Sequence, residues 1–140
     1  MTWYEMDKPR LVLEKIRVTA FHPSFRLRKK GNDLVWEGSK EVTVAGSPVE
    51  LFTIRVTYPE AFPTKPPIVE VLNPILDSTD VGHEWHRWVE GNVCYIRPRD
   101  WNIATTVDQI IDKVTDWYHN YMAVKLGLVD RMPDVGRVTL

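Results

Sequence analysis

The sequence predicts an α+β fold: an N-terminal helix, a four-stranded antiparallel meander sheet, an irregular active-site loop and a long C-terminal helix. Three observations predict it. Residues 50–58 alternate, with Phe52, Ile54, Val56 and Tyr58 facing one way and Thr53, Arg55 and Thr57 the other, the period of a half-buried strand. Residues 107–121 place Val107, Ile110, Ile111, Val114, Trp117, Tyr118 and Tyr121 at helical spacing. Between 73 and 103 neither period survives, a stretch longer than loops in compact domains usually run, and such loops tend to carry function.

Each element has its own local signal. Asp7 caps a helix whose first turn holds Lys8-Pro9, where proline costs least, and which ends before His22-Pro23. Val12, Leu13 and Ile16 are its expected inward face, and Trp3 to Met6 either join it or pack beside it. Phe25 to Arg28 alternate as a strand, and Lys30-Gly31-Asn32-Asp33 is a turn. Leu34 to Glu37 and then Glu41 to Val44 are extended, followed by the turn Ala45-Gly46-Ser47-Pro48. A short strand over 68–72 follows the proline cluster. Thr105 or Thr106 caps the long helix and Gly127 ends it. The expected organisation is one domain over 1–140, with its core at about 8–125 and a C-terminal extension over 126–140, whose residues from Asp130 on read as an extension or a frayed tail.

Composition excludes several classes. A chain of 140 residues with 44% hydrophobic and 26% charged residues is ordinary for a globular protein. A net charge of −1 gives no general attraction to nucleic acid or to an anionic membrane, so neither is an expected partner. No apolar stretch approaches the ~20 residues of a membrane helix, and no cationic start precedes an apolar run. A single cysteine forms no internal disulfide and suits a reducing compartment, so a cytoplasmic setting is expected.

That cysteine, Cys94, carries the chemistry. It lies in Gly91-Asn92-Val93-Cys94, after His83-Glu84-Trp85-His86-Arg87-Trp88 and before Trp101. A thiol in a loop beside histidines is a candidate nucleophile, suited to passing an acyl group on as a thioester. The plain alternative is a small buried apolar residue, as most free cysteines are. Arg97 and Arg99 lower the thiol pKa if they point at the sulfur; otherwise they face solvent or meet an incoming protein. His83, His86 and Cys94 match no standard zinc site, and no metal or cofactor is expected.

Phe62-Pro63-Thr64-Lys65-Pro66-Pro67, Asp33-Leu34-Val35-Trp36-Glu37-Gly38, Gly91 three residues before Cys94 and Trp101 seven after it together resemble ubiquitin-conjugating enzymes over roughly residues 8–125. The first of these is similar to the family's YPFKPP element. The His-Pro-Asn of the eukaryotic members is absent: Glu84 stands at its histidine position and His86 at its asparagine position, with His83 one residue farther off. That departure, and the single helix after Trp101, is similar to the bacterial stand-alone members of anti-phage CBASS operons. So are Phe25-Arg26-Leu27-Arg28 and Asp108-Gln109-Ile110-Ile111 leading to Trp117-Tyr118.

The resemblance implies an acyl (aminoacyl) transferase. Cys94 would carry the C-terminal glycine-type tail of a partner, either a ubiquitin-like protein or a cGAS-like nucleotidyltransferase, as a thioester and pass it to an amine. His86 would donate to the oxyanion or take the amine's proton, unless it is a loop histidine bonded for structure. His83, Asn92, Asp100, Arg97, Arg99 and Trp101 are the supporting candidates, with Asp100 and Asp108 able to orient an amine. Asp108 otherwise serves a helix N-terminus. With no Gly-rich nucleotide loop and no CxxC pair in the sequence, the acyl group would come from an activating enzyme or another donor. Pro59, Pro63, Pro66, Pro67 and Pro74 would stiffen the exit of the sheet, and Trp85, Trp88 and Trp101 would pack over the loop, exposure of any one marking a partner contact. Arg26, Arg28, Lys29 and Lys30 form a basic run, either a solvated strand face or a partner surface. Two rival readings remain: a non-catalytic binding module of the same fold for a ubiquitin-like partner, and a papain-like thiol hydrolase pairing Cys94 with His86 or His119.

Overall fold

Thr2 and Asp7 each start a helix in the computed structural model, which describes residues 1–140. Thr2 and Glu5 close a reciprocal capping box on α1 (Trp3–Met6). The Asp7 carboxylate accepts from the Arg10 amide at 3.2 Å and opens α2 (Lys8–Phe21). Trp3 on α1 is buried against Tyr58 and Phe62.

The face of α2 differs from expectation. Val12, Leu13 and Ile16 are 53%, 44% and 62% exposed, whereas Glu14 and Val18 are fully buried. A polar contact sets the rotation of the helix. The Glu14 carboxylate accepts from the Tyr58 hydroxyl at 2.7 Å, the Val107 amide at 3.0 Å and the Arg10 guanidinium at 3.3 Å, and Tyr58 in turn accepts from the Trp36 indole at 2.9 Å. Turning Val12 inward would strip these partners from a buried carboxylate, which costs more than exposing an aliphatic side chain. Burial still holds the Glu14 carboxyl above its usual range and the Tyr58 phenol well above its own.

Four strands follow: β1 (Arg26–Lys30), β2 (Asp33–Val42), β3 (Glu50–Thr57) and β4 (Ile68–Asn73), antiparallel in the order β1-β2-β3-β4. The two extended pieces expected over 34–44 are one continuous strand, β2, paired with β3 from Val35↔Thr57 to Val42↔Glu50. Gly38 sits mid-strand because the Phe25 ring occupies the space a Cβ would need, 2.5 Å away. The alternation in β3 is as expected: Phe52, Ile54, Val56 and Tyr58 are all buried.

The long helix α3 (Val107–Lys125) covers the sheet. Thr106 and Gln109 cap its start. At its end Gly127 takes φ 73°, and the amides of Gly127 and Leu128 bond back to the carbonyls of Val124 and Ala123, a Schellman ending that suits glycine. All seven apolar positions named for this helix are buried, and Tyr118 stacks on Phe52 at 4.2 Å between ring centroids. No helix is long and apolar enough to cross a membrane.

Candidate functional site

Backbone bonds, not periodicity, organise residues 73–106. The Gly82 and Arg87 backbones bond each other in both directions, at 2.7 and 3.3 Å. Trp88 donates to the Asn92 carbonyl at 2.9 Å, Cys94 to the His86 carbonyl at 2.8 Å and Val93 to the Val69 carbonyl of β4 at 2.8 Å. Residues 86–88 and 92–94 thereby form a small turned ribbon pinned to the sheet edge. Gly91 turns it at φ 102°. The Arg87 side chain staples it: Nε donates to the Gly91 carbonyl at 2.8 Å, and Nη1 to the carbonyls of Asp77 at 2.9 Å and Asp80 at 3.2 Å. Asp80, buried, accepts from Tyr121 at 2.6 Å and Lys125 at 2.9 Å, tying the loop to α3.

The proline cluster bonds directly to this loop. The Trp101 indole donates to the Pro63 carbonyl at 2.8 Å, and the Tyr95 hydroxyl to the Pro67 carbonyl at 2.5 Å. Prolines lack an N–H, but their carbonyls accept freely, so a rigid proline turn makes a fixed anchor for two aromatic donors.

Cys94 is half-buried and opens on a groove of about 630 Å³. His83, His86 and Asp100 share the groove wall with it. The Sγ lies 3.5 Å from the Ile96 carbonyl. Burial pushes the Cys94 thiol up, only partly offset by the Ile96 contact. Of the two alternatives for Arg97 and Arg99, solvent-facing is the one seen: both are exposed, Arg97 lines the groove but turns to Asp100 at 2.7 Å, and neither contributes to the shift of the Cys94 thiol. His86 is the one non-glycine residue with positive φ, at 48°. Such backbone is costly for an L-residue and is found at functional sites.

The other expected residues separate. His83, though on the groove wall, is exposed beside His86, ring centroids 5.6 Å apart. The remaining residues leave the groove. Asn92 contributes its backbone carbonyl to the ribbon and does not line the groove. Arg99 and Trp101 lie outside the groove wall too. Asp108 is buried and bonded to Arg17 and Thr106, which removes it from any contact with an amine. His119 is buried in α3 and does not line the groove. Trp85 is half-buried, its carbonyl accepting from the Trp117 indole at 2.9 Å, whereas Trp88 is exposed. No group of three or more His, Cys, Asp or Glu side chains is arranged to hold a metal ion.

Two contributors escaped the sequence reading. Lys113, Asp116 and Asn120 of α3 line the groove. Their spacing, a polar row beside the apolar one, was visible in the sequence, but nothing there aimed it at Cys94. The second is the segment from Asp130 on, expected as an extension or a frayed tail. Met132 is buried in the core cluster, and Pro133 to Gly136 line the groove.

No protein-family model matches the sequence, and no curated protein matches it. Solved structures do match. The yeast Vps23 UEV domain in complex with a Vps27 PSDP peptide superposes with a TM-score of 0.57 at 12% identity, over 94% of this chain and 86% of that one. A complex of the Vps23 UEV with ubiquitin gives 0.51 at 13% identity, over 77% and 79%. This is the ubiquitin-conjugating-enzyme-like fold. At that identity the likeness establishes the fold and nothing finer.

Proposed function

We propose that this protein holds the C-terminus of a partner protein as a thioester on Cys94 and transfers it to an amine. The carrying observation is that the sole cysteine opens, half-exposed, on a groove it shares with His86. In the first step the Cys94 sulfur attacks the partner's activated C-terminal carbonyl. The S–C bond forms, the donor's leaving group departs and the thiol proton passes to it or to water. In the second, an amine attacks the thioester carbonyl, the S–C bond breaks, and the amine's surplus proton passes to His86 or to water. The burial that raises the Cys94 thiol leaves less thiolate for the first step and makes the sulfur a slower leaving group in the second.

The resemblance of the site sequence supports a finer reading. The carried protein is a ubiquitin-like protein or a cGAS-like nucleotidyltransferase, loaded by an activating partner in the cytoplasm of a bacterium and used in anti-phage defence. The comparisons favour a second reading over transfer: both solved neighbours are UEV domains with a bound protein or peptide, so the fold here would serve as a non-catalytic binding module. The papain-like hydrolase keeps only its His86 pairing, because His119 lies outside the groove, and Cys94 does not open a helix as its nucleophile would.

Intact mass of the protein, co-expressed with its neighbouring genes and quenched without reductant, separates these readings. Transfer requires a partner-sized adduct that dithiothreitol removes, that becomes thiol-resistant in Cys94→Ser or Cys94→Lys, and that is absent in Cys94→Ala. A partner that co-purifies equally with every variant, with no adduct in any, leaves the binding module.

A further inference from the structure

Lys113, Asp116, Trp117 and Asn120 of α3 line the Cys94 groove at the spacing of one helix face. Three of the four are committed elsewhere. The Asp116 carboxylate accepts from Arg137 at 3.0 Å, and the Trp117 indole donates to the Trp85 carbonyl at 2.9 Å. Asn120 clamps the final segment: its Nδ2 donates to the Gly136 carbonyl and its Oδ1 accepts from the Val138 amide, each at 2.8 Å. Lys113 is exposed and has no hydrogen-bond or ion-pair partner. The acidic residues nearest it on the helix are taken, Asp112 by His22 at 3.2 Å and Asp116 by Arg137.

The rest of the wall repeats the contrast. Arg97 pairs with Asp100 at 2.7 Å, and Asp134 lies 3.8 Å from His86. Among the lysine, arginine and aspartate side chains that share the groove with Cys94, Lys113 alone is unpaired. Its ammonium ends a flexible four-carbon stem that nothing ties down. The groove, about 630 Å³, is on the scale of a site for one small molecule. An acyl carbonyl carried on the Cys94 sulfur enters that same space.

We propose that Lys113 is a self-modification site, the internal amine that takes the acyl group from Cys94 when no other acceptor does. This deepens the transfer reading and rests on it. The unprotonated Nζ attacks the thioester carbonyl and the C–N bond forms. The C–S bond breaks with its electron pair leaving on the Cys94 sulfur, and the amine's surplus proton passes to His86 or water and on to the thiolate. The products are an isopeptide on α3 and a free thiol, and no co-reactant is consumed. Amine and carbonyl held in one groove react without a bimolecular encounter, which favours Lys113 over lysines elsewhere on the surface.

A short peptide α-thioester ending in glycine, incubated with the full chain and followed by tryptic mass mapping before and after dithiothreitol, tests it. Wild type should first carry the peptide acyl group on Cys94, where dithiothreitol removes it, and then accumulate it on Lys113, where dithiothreitol does not. Cys94→Ala should accumulate neither product. Lys113→Arg should lose the thiol-resistant product by about tenfold or more, whereas Lys15→Arg, on the exposed side of α2, should keep it. Three results overturn the inference while Cys94 still loads: an acyl group that stays fully removable, resistant acylation spread equally over other lysines, or resistant acylation of Lys113 that persists in Cys94→Ala. Each leaves transfer to an external amine standing. If neither the peptide nor a co-expressed partner is ever found on Cys94, the transfer reading falls and the inference falls with it.

Discussion

The β3–α3 core and the Cys94 loop lie side by side, yet they are held by different physics. In the core, Phe52, Ile54 and Val56 meet Ile110, Val114 and Tyr118, and burial of periodic apolar side chains supplies the stability. In the loop, one arginine, one buried aspartate and two proline carbonyls hold an aperiodic chain by directed hydrogen bonds. The core tolerates any well-packed apolar residue of similar volume. The loop needs particular donors at particular places, so it can aim a thiol while the core cannot.

Ile110→Ala probes the core side of that contrast and carries the largest expected effect. A fully buried isoleucine is lost from the sheet-facing stripe, and chemical denaturation should show a loss of about 2–5 kcal/mol. If Cys94 carries a partner adduct as proposed, that adduct should survive wherever the protein stays folded. Arg87→Ala probes the other side. It removes the side-chain donor from the carbonyls of Asp77, Asp80 and Gly91, and a global loss of about 1–3 kcal/mol is expected. Amide exchange should quicken at Gly91 to Cys94 well before it does in α3. Equal exchange in the two regions would erase the distinction drawn between them.

A third test uses pH. Because burial raises the Cys94 thiol, the midpoint of its alkylation-rate profile should lie above the ordinary free-thiol value of about 8.5. The sign for stability follows. The folded state holds the thiol proton more tightly than the unfolded chain, so this contribution is complete below the ordinary thiol range. It is lost as pH rises through the folded value. A midpoint at or below that of an unstructured cysteine peptide would place the sulfur in a different environment from the one described. The smallest effect is expected at Ile16→Lys on the exposed side of α2: stability should change by no more than about 0.5 kcal/mol. A larger loss would mean that this face is covered in solution.

The failures of the sequence reading follow the same division. Periodicity located β3, α3 and their buried faces, because repeated burial leaves a repeated pattern. It misjudged α2, where one buried carboxylate outweighed three aliphatic residues in setting the helix rotation, and no period encodes a single polar contact. Cys94, His83, His86, Arg97 and Asp100 do line one groove, since a local motif keeps near neighbours in sequence near in space. The sequence reading missed Lys113, Asp116, Asn120 and residues 133–136, which reach the groove only because α3 packs across the sheet and the chain folds back.

By itself, then, the sequence determined the element order, the capped ends of both long helices, the antiparallel sheet and the place of the lone cysteine in an aperiodic loop. Each of these follows from local propensity or from a hydrophobic period. Tertiary structure alone decided which way α2 faces, how far the thiol is buried, that Arg97 serves Asp100 instead of the sulfur, and that Asn120 grips the final segment beside Cys94. The reason is common to all four: each depends on which polar groups find partners once distant segments meet, and that is a property of the packed chain.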